Sequence, residues 1–323
     1  MRKLVAGIAL IGLVGSTHPG HAQNYPTRPV MMIVPHAPGG GVDIISRIVA
    51  ERMRETLGQA VVVENVPAAA GTVGVERVAR AAPDGYTIVA GDQTSFVVSS
   101  FTNPVRYDVL KDFEPIALVS TSASVLVARN ELPGNLADVI GRLRNSAGAL
   151  SVGTFGKGSG PHMLAVAFEN LTGTRLQVVP YRGVAPALQD LVAGRIDLQF
   201  AEVAGILPHL REGKLKAYAV LSDRRSRAAP EVPTIVEAGG PPLHVTTWRG
   251  LWVPKATPPE VVARLNRAVA AALSDPDLQK RAAEIGQDIV PGDQQTPEAL
   301  AAHHQAEMKK WLPMVQAAIA RAD

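Results

Sequence analysis

Cysteine is absent from the 323 residues, and aromatic residues make up only 4% of them. The first absence excludes disulfides, thiolate metal sites and cysteine nucleophiles. The second means that a core has to be built mainly from small aliphatic side chains. No two histidines have the H-x-x-x-H or H-E-x-x-H spacing of a zinc site, and the adjacent His303 and His304 would face different directions on a helix. We therefore predict no metal site.

Long apolar runs are missing from all but the N-terminal part of the chain. There, Arg2 and Lys3 precede an apolar run of 11 residues (4–14), which is too short to span a bilayer, and Ala22 ends a Gly-His-Ala sequence typical of a cleavage site. The alternative is a buried N-terminal helix. The pattern favours a signal peptide over residues 1–22, cleaved after Ala22, and export to the periplasm.

An excess of one charge is missing as well. Removal of Arg2 and Lys3 with the signal peptide would leave 30 basic against 29 acidic residues. This balance gives no reason to expect a nucleic acid as partner.

Predicted strands and helices alternate along most of the chain. The order from residue 30 to 90 is β-α-β-α-β, which implies a parallel sheet with helices on its faces. The alternation returns from 150 to 221, whereas residues 259–321 are mostly helical. Each alternating part contains a glycine-rich loop between a strand and a helix, so we predict two similar α/β lobes.

The first of these loops is Pro38-Gly39-Gly40-Gly41, which leads into a predicted helix that contains Asp43. A helix N-terminus offers free backbone N–H groups and a partial positive charge, and glycines let a ligand reach them. The alternative is a tight turn with Asp43 as a cap. Three consecutive glycines exceed what a turn needs, which favours a loop that binds an anion or polar ligand.

A dinucleotide site is the competing interpretation of this loop. Counted from Gly39, however, the sixth position of the G-x-G-x-x-G pattern is Ile44 instead of glycine. We therefore predict no cofactor.

The second loop, residues 156–160, departs from known catalytic and phosphate-binding patterns. Gly158 follows Lys157 where a P-loop has Ser or Thr, and Lys157 stands where the G-x-S-x-G pattern around Ser159 needs glycine. The loop still precedes a helix and so offers a second set of N–H donors. His162 fits a ligand contact or a capping or packing role equally well. No nucleophile–base pair accompanies these residues, so we predict that the protein is not an enzyme.

Several stretches together resemble one family, the Bug family of extracytoplasmic solute receptors of tripartite tricarboxylate transporters. In family order, covering nearly everything after Tyr25, they are VPHAPGGGVDIISR, ARAAPDGYTI, KDFEPIALV, VPYRGVAPALQDLVAGRIDLQF, EVPTIVEAG and TTWRGLWVPKATPP. The resemblance implies a periplasmic binding protein of type II, in which two α/β lobes, each a mostly parallel sheet flanked by helices, close on a small carboxylate.

The resemblance also implies which residues bind the ligand. By position, the first loop contributes Ala37, Pro38, Gly39, Gly40, Gly41 and Asp43, the second Gly158, Ser159 and His162, and the second lobe further Tyr181 and Gly183. We add His36 and Glu202 as candidate ligand-binding residues, because they lie near the carboxyl ends of predicted strands, where α/β clefts bind ligands.

This chain departs from the family pattern in three places. His36 stands where a large aromatic residue is usual, Ala68-Ala69-Ala70 replaces a glycine-rich loop, and Ala201-Glu202 replaces Asp-Asn. These departures leave the carboxylate class intact but leave the particular ligand open.

The expected lobe boundaries follow from the same reading. Residues 23–124 with 249–323 form lobe 1, and residues 125–248 form lobe 2. The small polar run 120–124 separates the apolar runs 116–119 and 125–128 and is expected to serve as a hinge.

The predicted function is that of a monomeric periplasmic protein that captures a small organic carboxylate and delivers it to membrane transporter subunits. The alternative is a ligand-sensing subunit for a membrane sensor.

Overall fold

A computed structural model describes residues 25–156 and 159–320. The predicted signal peptide and its cleavage site lie outside them. The strands are β1 (Val30–Val34), β2 (Val61–Asn65), β3 (Thr87–Asp92), β4 (Phe113–Arg129), β5 (Ser151–Thr154), β6 (Gln177–Pro180), β7 (Leu198–Glu202), β8 (Leu215–Val220), β9 (Thr246–Pro254) and β10 (Asp288–Ile289).

Ten α-helices are described. They are α1 (Gly41–Leu57), α2 (Thr72–Ala79), α3 (Ser99–Thr102), α4 (Leu136–Asn145), α5 (Gly160–Thr172), α6 (Val184–Val192), α7 (Val203–Arg211), α8 (Pro259–Leu273), α9 (Pro276–Glu284) and α10 (Pro297–Ala320). None of these helices is both long and apolar enough to cross a membrane.

The strands form two sheet halves joined in the order β2-β1-β3-β9-β4-β7-β5-β6, with β8 and β10 each paired to β4. β1 pairs in parallel with β2 and β3, and β5 pairs in parallel with β6 and β7. β9 and β4 run antiparallel to their neighbours. The fold is therefore the predicted mixed α/β architecture, with helices flanking both parts of the sheet.

β4 corrects one detail of the sequence prediction. The apolar runs 116–119 and 125–128 are not separate strands, because the polar run between them continues the same 17-residue strand. Along residues 113–123 β4 pairs with β9, and from Ser124 onward it pairs with β7 and β8. Ser120, Ser122 and Ser124 are buried, so their small hydroxyl side chains fit where the strand passes between the two halves. The division into lobes at 124/125 and 248/249 stays a prediction. The change of partners supports the first boundary, whereas residues 246–248 of β9 still pair with residues 121–123 of β4.

The two tryptophans of β9 belong to the core. Trp252 stacks on Phe96 with ring centroids 3.9 Å apart, and Trp248 is 1% exposed. Phe96 lies in a π-helical turn (Thr94–Val98) that directly follows β3. α10 packs on this region, since the buried Glu307 accepts hydrogen bonds from Gln93, Trp248 and Trp311. The C-terminal helix thus returns to the first sheet half.

Parallel strands place the carboxyl ends of β1, β2 and β3 at one edge, and those of β5, β6 and β7 at another. Ligands of open α/β sheets bind at such edges. All the predicted site residues that the structure describes follow one of these strands directly or end it.

Candidate functional site

The first glycine loop leaves β1 at Val34 and enters α1 at Gly41. Asp43, 3% exposed, accepts hydrogen bonds from the Gly39 N–H at 2.9 Å, from Asn65 at 2.9 Å and from Arg47 at 3.0 Å. Burial by itself raises the pKa of Asp43, but these hydrogen bonds outweigh it and hold the pKa below its ordinary value. Of the two roles considered for Asp43, the structure shows the one that braces the loop.

The three glycines of this loop differ in the structural reason for having no side chain. Gly39 has φ +80°, which side chains with a Cβ rarely adopt. Gly41 is crowded, because a Cβ there would lie 2.7 Å from Glu202 Oε2 and 3.0 Å from Arg249 Nη2. Gly40 is extended, with φ −78° and ψ 165°, and the nearest atom to an added Cβ would be the Ala37 oxygen at 3.6 Å. Only Gly40 therefore has no steric reason within the fold, which fits a position kept open for a ligand.

His36 is paired with Asp92 at the end of the neighbouring strand β3. The His36 Nε2–Asp92 Oδ1 distance is 2.9 Å, and Asp92 also accepts from the backbone N–H and hydroxyl of Ser95. Burial favours the neutral imidazole, yet the Asp92 carboxylate outweighs it and raises the pKa of His36. The same contacts hold the pKa of Asp92 well below its ordinary range despite its burial. The pair thus lies beside the first loop, with Asp92 favouring the protonated form of His36.

Glu202 connects the two sheet halves at this loop. It ends β7, directly precedes α7 and forms an ion pair with Arg249 Nη2 on β9. The side chain of Arg249 is 2% exposed, while that of Glu202 is 27% exposed. The halves also approach each other at two glycines. A Cβ added to Gly160 would lie 3.5 Å from Thr94 Oγ1, and a Cβ added to Gly286 would lie 3.1 Å from the Ala204 nitrogen.

The second loop is braced by Ser159, the residue before α5. Its hydroxyl donates to the Gly156 carbonyl at 2.8 Å and accepts from the Phe155 N–H at 3.2 Å. Since its hydroxyl proton is used inside the loop, Ser159 shapes the backbone that leads into α5. Gly158 lies outside the described residues. His162 lies in the first turn of α5 and is partly buried.

Tyr181 and Gly183 stand beside the second loop, because β5 and β6 pair up to Thr154 and Pro180. The Tyr181 hydroxyl donates to Asp190 at 2.8 Å. Burial and this hydrogen bond make the hydroxyl harder to ionise, so the pKa of Tyr181 is raised. Gly183 has φ +153° and caps α6.

The structure thus brings two groups of the predicted residues together. The first loop meets Glu202, and the second loop meets Tyr181 and Gly183. Sequence reasoning missed Asp92, Arg249 and Gln287, which complete the first group. They are distant from one another in sequence. Arg249 lies in the quoted stretch TTWRGLWVPKATPP, but nothing there marked it as a site residue, and Asp92 follows the predicted strand that ends near residue 90.

Comparison with known proteins agrees with this architecture. The model of the family described as "Tripartite tricarboxylate transporter family receptor" matches residues 45–319. MatC from Rhodopseudomonas palustris, solved with bound malate, is 35% identical, with a TM-score of 0.83 over 90% of this chain and 100% of that one. The R. palustris protein Rpa4515, solved with adipate, is 31% identical, with a TM-score of 0.85 over 91% and 98%.

A third structure, the periplasmic binding protein BugD, is 36% identical, with a TM-score of 0.81 over 91% of this chain and 98% of that chain. The family is one of solute-binding receptors and is not enzymatic. This confirms the predicted resemblance to the Bug family and the prediction of a solute-binding protein that is not an enzyme. The chain belongs to the tripartite tricarboxylate transporter receptor family, that of the Bug-type periplasmic binding proteins.

Proposed function

We propose that this chain captures a small organic carboxylate between its two lobes and delivers it to a membrane transporter of the tripartite tricarboxylate type. The observation that carries the proposal is Gly40. It stands at the start of the 17-residue helix α1, where backbone N–H groups have no intrahelical acceptor, and no steric requirement of the fold explains it.

The ligands of the relatives support the carboxylate class. MatC was solved with malate and Rpa4515 with adipate, both dicarboxylates. Charge-assisted hydrogen bonds contribute about 1.5–3 kcal/mol each. A few of them reach roughly micromolar affinity, about −8 kcal/mol, after the costs of ordering.

Direct binding tests the carboxylate part of the proposal. Purified protein starting at Gln23 is screened by thermal shift against organic acids that include malate and adipate, and hits are measured by calorimetry. We expect at least one acid to bind in a 1:1 ratio to a monomer. Small-angle scattering with saturating ligand is expected to show the same or a smaller radius of gyration. If no carboxylate raises the unfolding temperature, the carboxylate proposal fails.

Cell experiments test location and delivery. We expect the exported protein to be periplasmic and to begin at Gln23, which N-terminal sequencing reads directly. A deletion strain is expected to lose uptake of the radiolabelled acid. Normal uptake together with loss of a transcriptional response to the acid would instead support the sensing role.

A further inference from the structure

The guanidinium of Arg249 is the buried group of the site that its neighbours satisfy least. Nη2 contacts Glu202, but Nε and Nη1 have no hydrogen-bond acceptor among the described residues. The same holds for Nε2 of the 1%-exposed Gln287. A guanidinium has five N–H donors in a fixed fork that fits a carboxylate with two parallel bonds. Arg249 therefore has donors left for a second acceptor.

Nη2 of Arg249 and Nε2 of Gln287 lie at the start of α1. A Cβ on Gly41 would lie 3.0 Å from Arg249 Nη2 and 3.3 Å from Gln287 Nε2. A small cavity beside Arg249 is lined by Val42, Ile45, Ser46 and other residues of α1, β3, β4 and β9, none of them acidic. The structure thus supplies a positive charge and the unused Gln287 Nε2 donor at the helix end where the proposed function places a ligand carboxylate.

Glu202 already presents a carboxylate at this point. Its Oε2 would lie 2.7 Å from a Cβ on Gly41, and it reaches there from the opposite sheet half. Asp92 is also negative, but it is paired with His36, so Glu202 is the carboxylate that compensates Arg249. A ligand carboxylate that uses Nη2 as one of its two parallel bonds therefore has to compete with Glu202 for that nitrogen.

We propose that Arg249 is the residue that anchors the ligand carboxylate, and that Glu202 is its built-in competitor, which a ligand carboxylate replaces on the guanidinium. This inference rests on the proposed function, since it names the anchor of the same site. Glu202 is the partner that leaves, because its side chain is already partly exposed, whereas Arg249 is buried in β9. The exchange ties carboxylate binding to a contact between the two halves.

Calorimetry on three single variants tests the exchange, with malate, adipate and adipamide (the uncharged diamide of adipate) as probes. Glu202→Gln keeps the shape of the competitor but removes its charge, so we expect tenfold or tighter binding of the acid that the parent binds. Arg249→Lys keeps the charge but loses the fork, and we expect at least tenfold weaker binding. Adipamide is expected to bind none of the proteins.

Glu237→Gln is the matched control. Glu237 pairs with Arg225 on the exposed surface of the same part of the chain, so the variant makes the same change in net charge. We expect its affinity to stay within twofold of the parent. Thermal unfolding checks that each variant folds. If Glu202→Gln does not fold, the dissociation constant of Arg249→Lys relative to that of the control decides alone.

The outcomes separate this inference from the proposed function. If malate or adipate binds the parent but Glu202→Gln binds it no more tightly, or Arg249→Lys binds it as well as the parent, Arg249 is a structural residue and only the inference is overturned. If no acid binds the parent or any variant, the proposed function falls and the inference with it.

Discussion

At the scale of single residues, the first loop separates folding requirements from ligand requirements. Gly39 is needed for its left-handed backbone and Gly41 for the approach of Glu202 and Arg249. Gly40 has neither reason. A substitution there is therefore expected to act on binding and not on folding.

Gly40→Val tests this expectation. The extended backbone of Gly40 accommodates a β-branched residue, but the side chain would cover the N–H groups of the loop. We expect the loss of at least one charge-assisted hydrogen bond, about 2 kcal/mol or roughly 30-fold in affinity, with an unchanged unfolding temperature. Gly134→Val, at an exposed glycine with open space around its Cα, is the control for valine itself. Full affinity in Gly40→Val would show that the ligand does not approach this loop.

Ala70 illustrates the opposite case, a side chain where the backbone suits glycine. It has φ 54° and ψ 34°, and Ala69 before it also has a positive φ of 48°. The left-handed region costs a residue with a Cβ about 1–2 kcal/mol, and glycine loses about 0.5–1 kcal/mol more entropy on folding. We expect Ala70→Gly to raise the free energy of unfolding by up to about 1 kcal/mol.

Ala68→Gly is the control for Ala70→Gly. Its backbone, with φ −132° and ψ 144°, suits any residue, so only the entropic cost of glycine remains. Chemical denaturation of both variants is expected to give shifts of opposite sign, and equal shifts would contradict the backbone explanation.

At the scale of elements, periodicity predicted helices and strands well where they are local. The β-α-β-α-β order predicted from residue 30 to 90 is observed as β1, α1, β2, α2 and β3, because apolar spacing and flanking proline and glycine are visible in sequence. The π-helical turn 94–98 was missed, since its apolar residues pack from every side and show no single period. The sequence predicted two apolar runs in place of β4, because the serines between them suggested a hinge. Pairing with strands on both sides keeps these serines in one continuous strand.

The candidate site was predictable only in part, for the same reason. Glycine loops are local signals and were found. The Glu202–Arg249 pair joins residues 47 positions apart, and the His36–Asp92 pair joins residues 56 apart. Only the strand order β3-β9-β4-β7 brings such residues to one place.

Gly91 in β3 gives the prediction at this scale. A Cβ there would lie 2.2 Å from the Phe96 ring and 3.0 Å from Trp252, so the aromatic stack fits only over a glycine. We expect Gly91→Ala to destabilise the protein by about 1–3 kcal/mol through overpacking. Gly141→Ala is the matched control: it lies inside α4 with no atom within 4 Å of its added Cβ, and we expect a gain of about 0.5–1 kcal/mol. Urea denaturation distinguishes the two signs.

At the scale of the whole molecule, α10 fastens the C-terminal part of the chain to the first sheet half. Glu307 accepts hydrogen bonds from Gln93, Trp248 and Trp311, and His304 Nε2 lies 2.9 Å from the Phe96 carbonyl. These buried polar contacts connect α10, the turn after β3 and β9. Protonation within this interface is therefore expected to affect global stability.

His304 determines how that stability depends on pH. Burial lowers its pKa to about 4, although the hydrogen bond to Phe96 favours the charged form. Because this pKa lies below the ordinary value near 6.5, His304 contributes stability above pH 6.5 that is lost as the pH falls toward 4, about 3 kcal/mol in all. His36 has a raised pKa and acts in the opposite sense. Its contribution to stability, with Asp92, Glu202 and Arg249 nearby, is complete below pH 6.5 and is lost as the pH rises through the raised value.

Replacement of His304 tests this pH dependence. Between pH 6.5 and 4, we expect the free energy of unfolding of His304→Gln to fall by about 3 kcal/mol less than that of the parent, because the variant lacks the titrating group. Urea titrations measure this difference, with the exposed His244→Gln as control. Parallel pH profiles for His304→Gln and the parent would mean that His304 is not the group through which acid loosens the protein.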